Sequence, residues 1–489
     1  MTSPLVAPRL AAIAAGLAGL VLSGGATPVP AVAAPAATPC LSGTPVTGDY
    51  DGDGAPDLAV SAWDNWVDGS PLFVSPSRDG QGAWLAIAGD FLRLTSADLN
   101  GDVCSDAVVT GGYGAVQVRL VFGTPTGLDP AGARTLVLPQ FAALPEGAGV
   151  RASAVGSRHD GLSQVVVAGY TTDGEAPTFT AFTDIFTLDA TGTPGTPQVI
   201  DMAGLVTDQS RWPASMAADD GVVVVGALDT VKGKARAGSV HVFSADSTDP
   251  ATLVHRAVIT QATAGVAGTV EAGDRFGAAL ALRDGHLAIG APHETIGAAK
   301  GAGQVQLLRW DAATTAFAPL RALHQGTAKV PGTNETGDHF GSALAIARGL
   351  TAAGSWDVVI GTPDENVGSI ADAGAVTVAN LTKARYRLYS QNTAGVPGRA
   401  EKQPSEALKD GEYFGYAVGV LPTSPATDTL AIGAPGETNG DCLTQGYVVL
   451  SDGARLAAGR GWTYLKPPTR GCSGYDNDVV DGWGAGFGN

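Results

Sequence analysis

The chain is expected to be all-β, a seven-bladed β-propeller of four-stranded antiparallel blades, and three features of the sequence predict this. A short apolar strand ending in a small residue recurs seven times, and a strand of alternating character follows each copy. Charged residues make up only 16% of the chain while glycine numbers 68, a balance that suits many short strands joined by tight turns.

The first strand of the unit reads Leu58-Ala-Val60-Ser61, Ala107-Val-Val109-Thr110, Val165-Val-Val167-Ala168, Val223-Val-Val225-Gly226, Leu287-Ala-Ile289-Gly290, Val358-Val-Ile360-Gly361 and Leu430-Ala-Ile432-Gly433. Continuous apolar runs of this length are strands buried on both faces. The second strand reads Leu72-Phe-Val74, Ala115-Val-Gln-Val118, Phe179-Thr-Ala-Phe182, Ser239-Val-His-Val242, Gln304-Val-Gln-Leu307, Ala375-Val-Thr-Val378 and Tyr447-Val-Val-Leu450. Its alternation means one face is less buried than the other. Blades stacked around an axis satisfy both patterns and leave few exposed sheet edges, and the uneven spacing of the units fits blades with variable loops.

Two acidic loops precede the first two of these strands. One is Asp49-Tyr-Asp51-Gly-Asp53-Gly-Ala55-Pro-Asp57, and the other is Asp98-Leu-Asn100-Gly-Asp102-Val-Cys104-Ser-Asp106. Odd positions of such a turn can all point inward, and carboxylate, amide and backbone carbonyl oxygens are what Ca²⁺ takes. The candidate metal ligands are therefore Asp49, Asp51, Asp53, Ala55 and Asp57 in one loop, and Asp98, Asn100, Asp102, Cys104 and Asp106 in the other. An EF-hand would need a bidentate Glu at the twelfth position and a helix beyond it, whereas Val60 stands there, inside a strand. A solvated Asp/Gly turn would explain one copy, but not the same oxygen spacing twice. Two structural Ca²⁺ ions are expected.

The N-terminal residues read as a secretory signal: Arg9, the apolar stretch Leu10 to Leu22, and Ala31-Val32-Ala33 as a cleavage site. This divides the chain into a signal at 1–33, a linker at 34–45 and the propeller at 46–489. Thirteen apolar residues are short of the roughly 20 that span a bilayer, so a secreted, extracellular protein is expected, without membrane insertion. Four cysteines, Cys40, Cys104, Cys442 and Cys472, suit an oxidising compartment; three pairings are open, and proximity in the chain favours Cys40 with Cys104 and Cys442 with Cys472. Their spacing is wrong for zinc. With 47 acidic and 29 basic residues the net charge is −18, so nucleic acid and anionic membranes should be repelled.

The later units add a third element: Gly273-Asp-Arg-Phe276-Gly277-Ala-Ala-Leu280, Gly337-Asp-His-Phe340-Gly341-Ser-Ala-Leu344 and Gly411-Glu-Tyr-Phe414-Gly415-Tyr-Ala-Val418, with Phe-Gly opening a strand of small and apolar residues. Together with Gly290-Ala-Pro292, Gly361-Thr-Pro363 and Gly433-Ala-Pro435, these residues resemble the FG-GAP repeat, the unit of the seven-bladed propeller of integrin α subunits and of its secreted bacterial relatives. The resemblance runs from about Val46 to the end, specific in units one, two and five to seven and weak in units three and four. Gly156-Ser-Arg-His159-Asp160 and Ala217-Ala-Asp-Asp220 stand where calcium loops would lie but lack the oxygen set, as does Arg283-Asp-Gly-His286 in unit five. The tail, Asp481-Gly-Trp483-Gly484-Ala-Gly-Phe487, matches the Phe-Gly strand with Trp in place of Phe and is expected to complete blade one.

Catalytic motifs are missing: the seven histidines show no H-E-x-x-H spacing, and neither a G-x-S-x-G elbow nor a phosphate-binding G-x-x-x-x-G-K-[ST] loop is present. Trp63, Trp66, Tyr113 and Tyr170 fall after the buried strands, where aromatic residues on a propeller rim can anchor a ligand. The resemblance implies a non-catalytic binding or adhesion module for an extracellular protein or glycan, acting as a monomer. The alternative is a propeller enzyme, a hydrolase or lyase acting on extracellular polysaccharide or lipid, with carboxylates in the central funnel.

Overall fold

The structure is a computed structural model and describes residues 40, 45–61, 72–75, 85–87, 93–111, 116–140, 149–172, 178–401, 411–437, 446–456, 461–466 and 486–487. The signal at 1–33, Trp63, Trp66, Tyr113, Ala115, Cys442, Cys472 and residues 481–485 of the tail lie outside them. What is described is an all-β propeller of four-stranded antiparallel sheets. No helix among the described residues is long and apolar enough to cross a membrane.

Six sheets are each built from four strands consecutive in the chain, numbered here by the unit they contain. Sheet 2 comprises Arg93–Ala97, Asp106–Gly111, Gln117–Phe122 and Asp129–Thr135. Sheet 3 comprises Gly149–His159, Leu162–Thr172, Phe179–Leu188 and Gln198–Asp201. Sheet 4 comprises Ser215–Asp219, Val222–Ala227, Ser239–Ala245 and Leu253–Ile259. Sheet 5 comprises Ala279–Arg283, His286–Ala291, Gln304–Asp311 and Ala316–Leu323. Sheet 6 comprises Ala343–Arg348, Trp356–Thr362, Ala375–Asn380 and Tyr386–Tyr389. Sheet 7 comprises Ala417–Leu421, Thr429–Ala434, Tyr447–Asp452 and Trp462–Leu465. Sheet 1 is composite: Leu58–Ser61, Leu72–Ser75 and Leu85–Ile87 are joined by Gly486–Phe487, with Val60 opposite Phe487 and Ser61 opposite Gly486.

Apolar packing follows the sheet order. Each buried cluster is shared by two neighbours: Val108 and Val118 of sheet 2 pack with Val165 and Phe182 of sheet 3, and Val224 and Val240 of sheet 4 with Leu287 and Ile289 of sheet 5. The two ends of the series meet as well, because Leu58, Val60 and Phe73 of sheet 1 pack with Leu421, Ala431 and Val448 of sheet 7. The core is therefore a ring of inter-sheet layers. The valines of Val222–Ala227, all buried, show why an uninterrupted apolar run was needed: each face meets a different neighbour.

Junctions between sheets 4 to 7 share a backbone latch. At the start of each later sheet the Phe amide donates to a carbonyl of the preceding sheet's loop: Phe276 to Ala237, Phe340 to Ala302 and Phe414 to Ala373, at 2.9–3.0 Å. The next amide extends its own sheet, Gly277 donating to the Gly290 carbonyl, Gly341 to Gly361 and Gly415 to Gly433. The carbonyls of Gly277, Gly341 and Gly415 then lie so close to Gly226, Gly290 and Gly361 of the preceding sheet that an added Cβ would sit 2.0–2.2 Å from them. Phe276, Phe340 and Phe414 are fully buried beneath the latch.

The latch corrects one expectation. Phe-Gly does not open the strand; it forms a turn, with Gly277, Gly341 and Gly415 at φ of +88° to +92°, and the strands begin at Ala279, Ala343 and Ala417. Only glycine adopts that conformation without cost. The residue before each Phe, namely Arg275, His339 and Tyr413, is also left-handed at φ +55° to +56°. The acid ahead of it folds the loop back, Asp274, Asp338 and Glu412 accepting the backbone N–H of Glu271, Glu335 and Glu401 at 2.6–2.7 Å.

Gly290 is in extended backbone, so its requirement is space alone, and Gly290→Ala or Gly361→Ala should destabilise the protein by about 2–4 kcal/mol. Gly204→Ala, where nothing lies within 4 Å, should stay within about 0.5 kcal/mol of the parent in urea unfolding. Equal stability of all three variants would contradict the latch.

Candidate functional site

The two acidic loops lie side by side and are stitched together. The Ser105 amide donates to the Asp49 carbonyl at 2.7 Å, the Gly48 amide to the Ser105 hydroxyl at 2.9 Å, and that hydroxyl to the Val46 carbonyl at 3.0 Å. A disulfide joins Cys40 to Cys104 with a Cα separation of 5.7 Å, as chain proximity had favoured, and it lies directly under Gly52. Tyr50, buried between sheets 1 and 2, shares a hydrogen bond of 2.6 Å with Ser96.

Within the first loop, Asp49, Asp51 and Asp57 each bring a carboxylate oxygen into a group no more than 4.8 Å across. Backbone amides hold the set: Tyr50 donates to Asp57 at 2.8 Å, Gly54 to Asp49 at 2.9 Å, and Asp53 to Asp49 and Asp51 at 3.1 Å. Asp53 itself is exposed and accepts the Ala55 amide at 2.7 Å, and it is not part of the converging group. Burial pushes the Asp57 carboxyl up to about 8 and Asp49 up to about 6, and the negative charges of their neighbours push the same way. Three carboxylates crowded in this manner repel one another unless protons or a cation intervene.

The second loop repeats the backbone plan: the Leu99 amide donates to Asp106 at 2.7 Å, as Tyr50 does to Asp57, and Asp106 also takes the Gly123 amide at 2.8 Å. Its other oxygens turn toward the loop itself. Asn100 donates to Asp102 at 3.0 Å and accepts the Asp102 amide, Asp102 accepts the Cys104 amide, and Asp98 accepts the Gly101 amide at 2.6 Å. Here the one clustered group is Asp102 with Cys40 and Cys104, whose sulfurs are bonded to each other and hold no thiolate to offer a metal. The Cys104 side chain is thus a cross-link, leaving only its carbonyl as a donor. Burial raises Asp106 to about 8 and pushes Asp102 up as well.

Elsewhere the same connection is shortened or rebuilt. Asp160-Gly161, Asp220-Gly221 and Asp284-Gly285 are two-residue hairpin turns with both residues at positive φ, so no oxygen cage has room to form in sheets 3 to 5. In sheet 6 a buried Asp357 stands at the place of Asp57 and Asp106. It is satisfied by the hydroxyls of Thr351 and Ser355 and the amide of Asn380, at 2.5–3.0 Å. Sequence spacing missed Asp357 because hydroxyl donors, not a run of acids, surround it.

Among the concavities that open on the propeller, two are each lined by several sheets. The axial one, of about 460 Å³, is lined near the ends of the innermost strands by Asp98, Arg158, Asp219, Asp220 and Arg283. Asp219 accepts the Gly285 amide at 3.0 Å and burial pushes its carboxyl up, while Asp220 meets His159 at 2.7 Å. The other, of about 710 Å³, is lined by strand starts and strand ends of sheets 2 to 5, Arg93, Arg151, Arg211 and Arg275 among them. Tyr170 borders it, from a strand and not from a loop as expected, since Leu162–Thr172 runs past it and its ring meets the edge of Phe179. The sequence carries no signal for this second site, because its arginines are scattered from position 93 to position 275.

No protein-family model matches the chain, and no curated protein matches it. Among solved structures, the chain is similar to a variant of Synechocystis apocarotenoid oxygenase at 10% identity and a TM-score of 0.41, covering 88% of this chain and 92% of that one. It is similar also to the periplasmic gluconolactonase PpgL of Pseudomonas aeruginosa at 14% identity and 0.30, covering 68% and 99%, and to Sqt1 of Saccharomyces cerevisiae at 12% and 0.31. The match to Sqt1 spans 63% of this chain and 60% of that protein. Scores this low carry no argument about activity.

Three further carboxyls, Glu294 and Glu437 buried and Glu365 half-buried, repeat around the later sheets. Gln261 donates to Glu294 and Gln325 to Glu365, both at 2.5 Å, and Gln391 to Glu437. Burial pushes each of these glutamates up to about 7. A carboxyl raised in the folded state is favourable while protonated and costs stability as pH rises from its unfolded value, near 4.5, through its folded one; one unit corresponds to about 1.4 kcal/mol. In chelator the midpoint of unfolding should therefore fall between pH 5 and pH 8, and the triple variant Glu294→Gln, Glu365→Gln, Glu437→Gln should flatten that fall. A midpoint rising over the same range would contradict the assignment.

Proposed function

We propose that this protein is a secreted, calcium-stabilised, FG-GAP-type propeller that acts as a non-catalytic binding module for an extracellular protein or glycan. The observation that carries the reading is the first acidic loop. Three carboxylates from Asp49, Asp51 and Asp57 converge at a point held by backbone amides, with oxygen as the only donor type. Such a set suits a hard divalent cation, and Ca²⁺ bound there would neutralise the crowding where sheet 1 meets sheet 2. The second loop, with Asp98, Asn100, Asp102, the Cys104 carbonyl and Asp106, is proposed as the second site on its equivalent backbone plan. The disulfide and the leader-like N-terminus support an extracellular setting. We read composite sheet 1 as the seventh blade, on its pairing with Gly486–Phe487 and its packing on sheet 7.

The binding reading is favoured over the enzyme reading by chemistry: buried carboxyls outside the loops are tied to Gln side chains, backbone amides or hydroxyls, and Asp229 and Asp428, which meet His241 and Arg283, are held by hydroxyls or a backbone amide as well. One observation favours the alternative, the axial concavity with Asp219 and Asp220 on its wall. A hydrolase or lyase would use such a carboxylate in that funnel.

Calcium chelation should lower the melting temperature, since a cation at 100 times its dissociation constant contributes about 2.7 kcal/mol. Asp51→Asn removes a ligand without taking away a buried acceptor, so it should melt like the chelated parent and stop responding to Ca²⁺. A melt indifferent to chelator would remove the metal assignment. A glycan and matrix-protein array run beside a panel of polysaccharide and lipid substrates should show binding without turnover; turnover lost in Asp219→Asn would favour the enzyme.

A further inference from the structure

The concavity bordered by sheets 2 to 5 concentrates positive charge on a protein whose net charge is −18. Arg93, Arg151, Arg211 and Arg275 line it, from four different sheets or their leading loops. Among the described residues, the arginines in ion pairs are Arg283 with Asp428 and Arg309 with Asp284, both elsewhere. Among the described residues, none of the four has a carboxylate within ion-pair reach. Arg275 is also partly desolvated in the field of Arg236 and Arg211, which lowers its hold on its proton. Bringing like charges together without counter-charge is unfavourable, and guanidinium groups stay ionised regardless.

The latch accounts for where one of these charges, Arg275, stands, and for Arg236 beside it. It fixes position 275 and its partner position 236 in left-handed backbone, at φ +56° and +54°, just as it fixes Gly301 with His339 and Asp372 with Tyr413. The conformation is common to all three junctions, but arginine at both positions occurs only at this one. A second feature is independent of charge. Thr110 borders the same concavity, and its buried hydroxyl has no hydrogen-bond partner among the described residues. An orphaned polar atom in a native wall calls for a ligand group or water to complete it.

We propose that this concavity binds an anionic saccharide, a sugar chain bearing carboxylate or sulfate groups, with Arg151 and Arg275 as its principal anion contacts. The inference rests on the binding-module reading and names that module's ligand. Guanidinium recognises carboxylate and sulfate through paired parallel hydrogen bonds. About 710 Å³ is the size of a small-molecule pocket and suits two or three sugar units better than a flat protein epitope. Hydroxyl-bearing residues on the wall, Thr110, Ser153 and Tyr170, match sugar hydroxyls. The strongly acidic composition of the chain disfavours nucleic acid and steers a short anionic ligand to a basic hollow such as this.

The test is calorimetric titration of the full chain, in calcium-containing buffer, with a trigalacturonate, a sulfated disaccharide and a neutral cellotriose. An acidic saccharide should bind with an affinity that falls as salt is raised, and cellotriose should not. Arg151→Gln and Arg275→Gln should each weaken binding about tenfold or more, with the melting temperature confirming the fold. The inference is overturned if cellotriose binds as well as the acids, or if the fourfold variant Arg93→Gln, Arg151→Gln, Arg211→Gln, Arg275→Gln retains full affinity. It is overturned too if no acidic saccharide binds. Should the array yield another ligand that the fourfold variant still binds, the binding module stands and its assignment to this concavity falls.

Discussion

Adjacent sheets approach so closely at the latch that one carbonyl of the later sheet occupies the space a Cβ would need on the earlier one. Everything else in sheets 4 to 7 depends on that contact. It sets the distance at which Val224 packs with Leu287 and Ile360 with the layer of Val305 and Leu307, and it buries Phe276, Phe340 and Phe414 beneath it. The glycines are needed for two different reasons. Gly277, Gly341 and Gly415 require left-handed backbone, while Gly290 and Gly361 require empty space. Sheets 1 and 2 solve the same problem with covalent and loop contacts: the disulfide, the Ser105 bridge and the paired acidic loops.

A rim built in this way is rigid, and what it presents varies by residue choice. At equivalent left-handed positions the chain places Arg275, His339 and Tyr413, three different chemistries on one backbone geometry. At the axial end Asp220 is paired with His159 and Asp219 takes a backbone amide, whereas the arginines of the hollow at sheets 2 to 5 have no ion-pair partner among the described residues. Charge separation of this kind gives an acidic protein a directed site for an anion.

Much of the fold could be read from sequence, because a strand buried on both faces needs an uninterrupted apolar run and the seven such runs all became second strands of their sheets. Phe-Gly was misplaced by a turn, since small residues look alike in a turn and in a strand until their φ is known. The first acidic loop was legible as a converging carboxylate set, but the exclusion of Asp53 was not, because the odd-position rule ignores the backbone amides that orient each side chain. Asp357 was invisible because the nearby hydroxyls of Thr351 and Ser355, not a run of acids, surround it, and the arginine hollow because its residues are distant in the chain and meet only through the ring.

The latch amides are locked by the whole ring and not by their own turns. Residue-resolved hydrogen exchange in calcium-containing buffer tests it at the backbone N–H groups of Gly277, Gly341 and Gly415. They should exchange only by global unfolding, with the same free energy as the valine amides of Val222–Ala227 and the same denaturant dependence. Exchange at these glycines through small local openings, insensitive to denaturant while those valine amides stay protected, would contradict it.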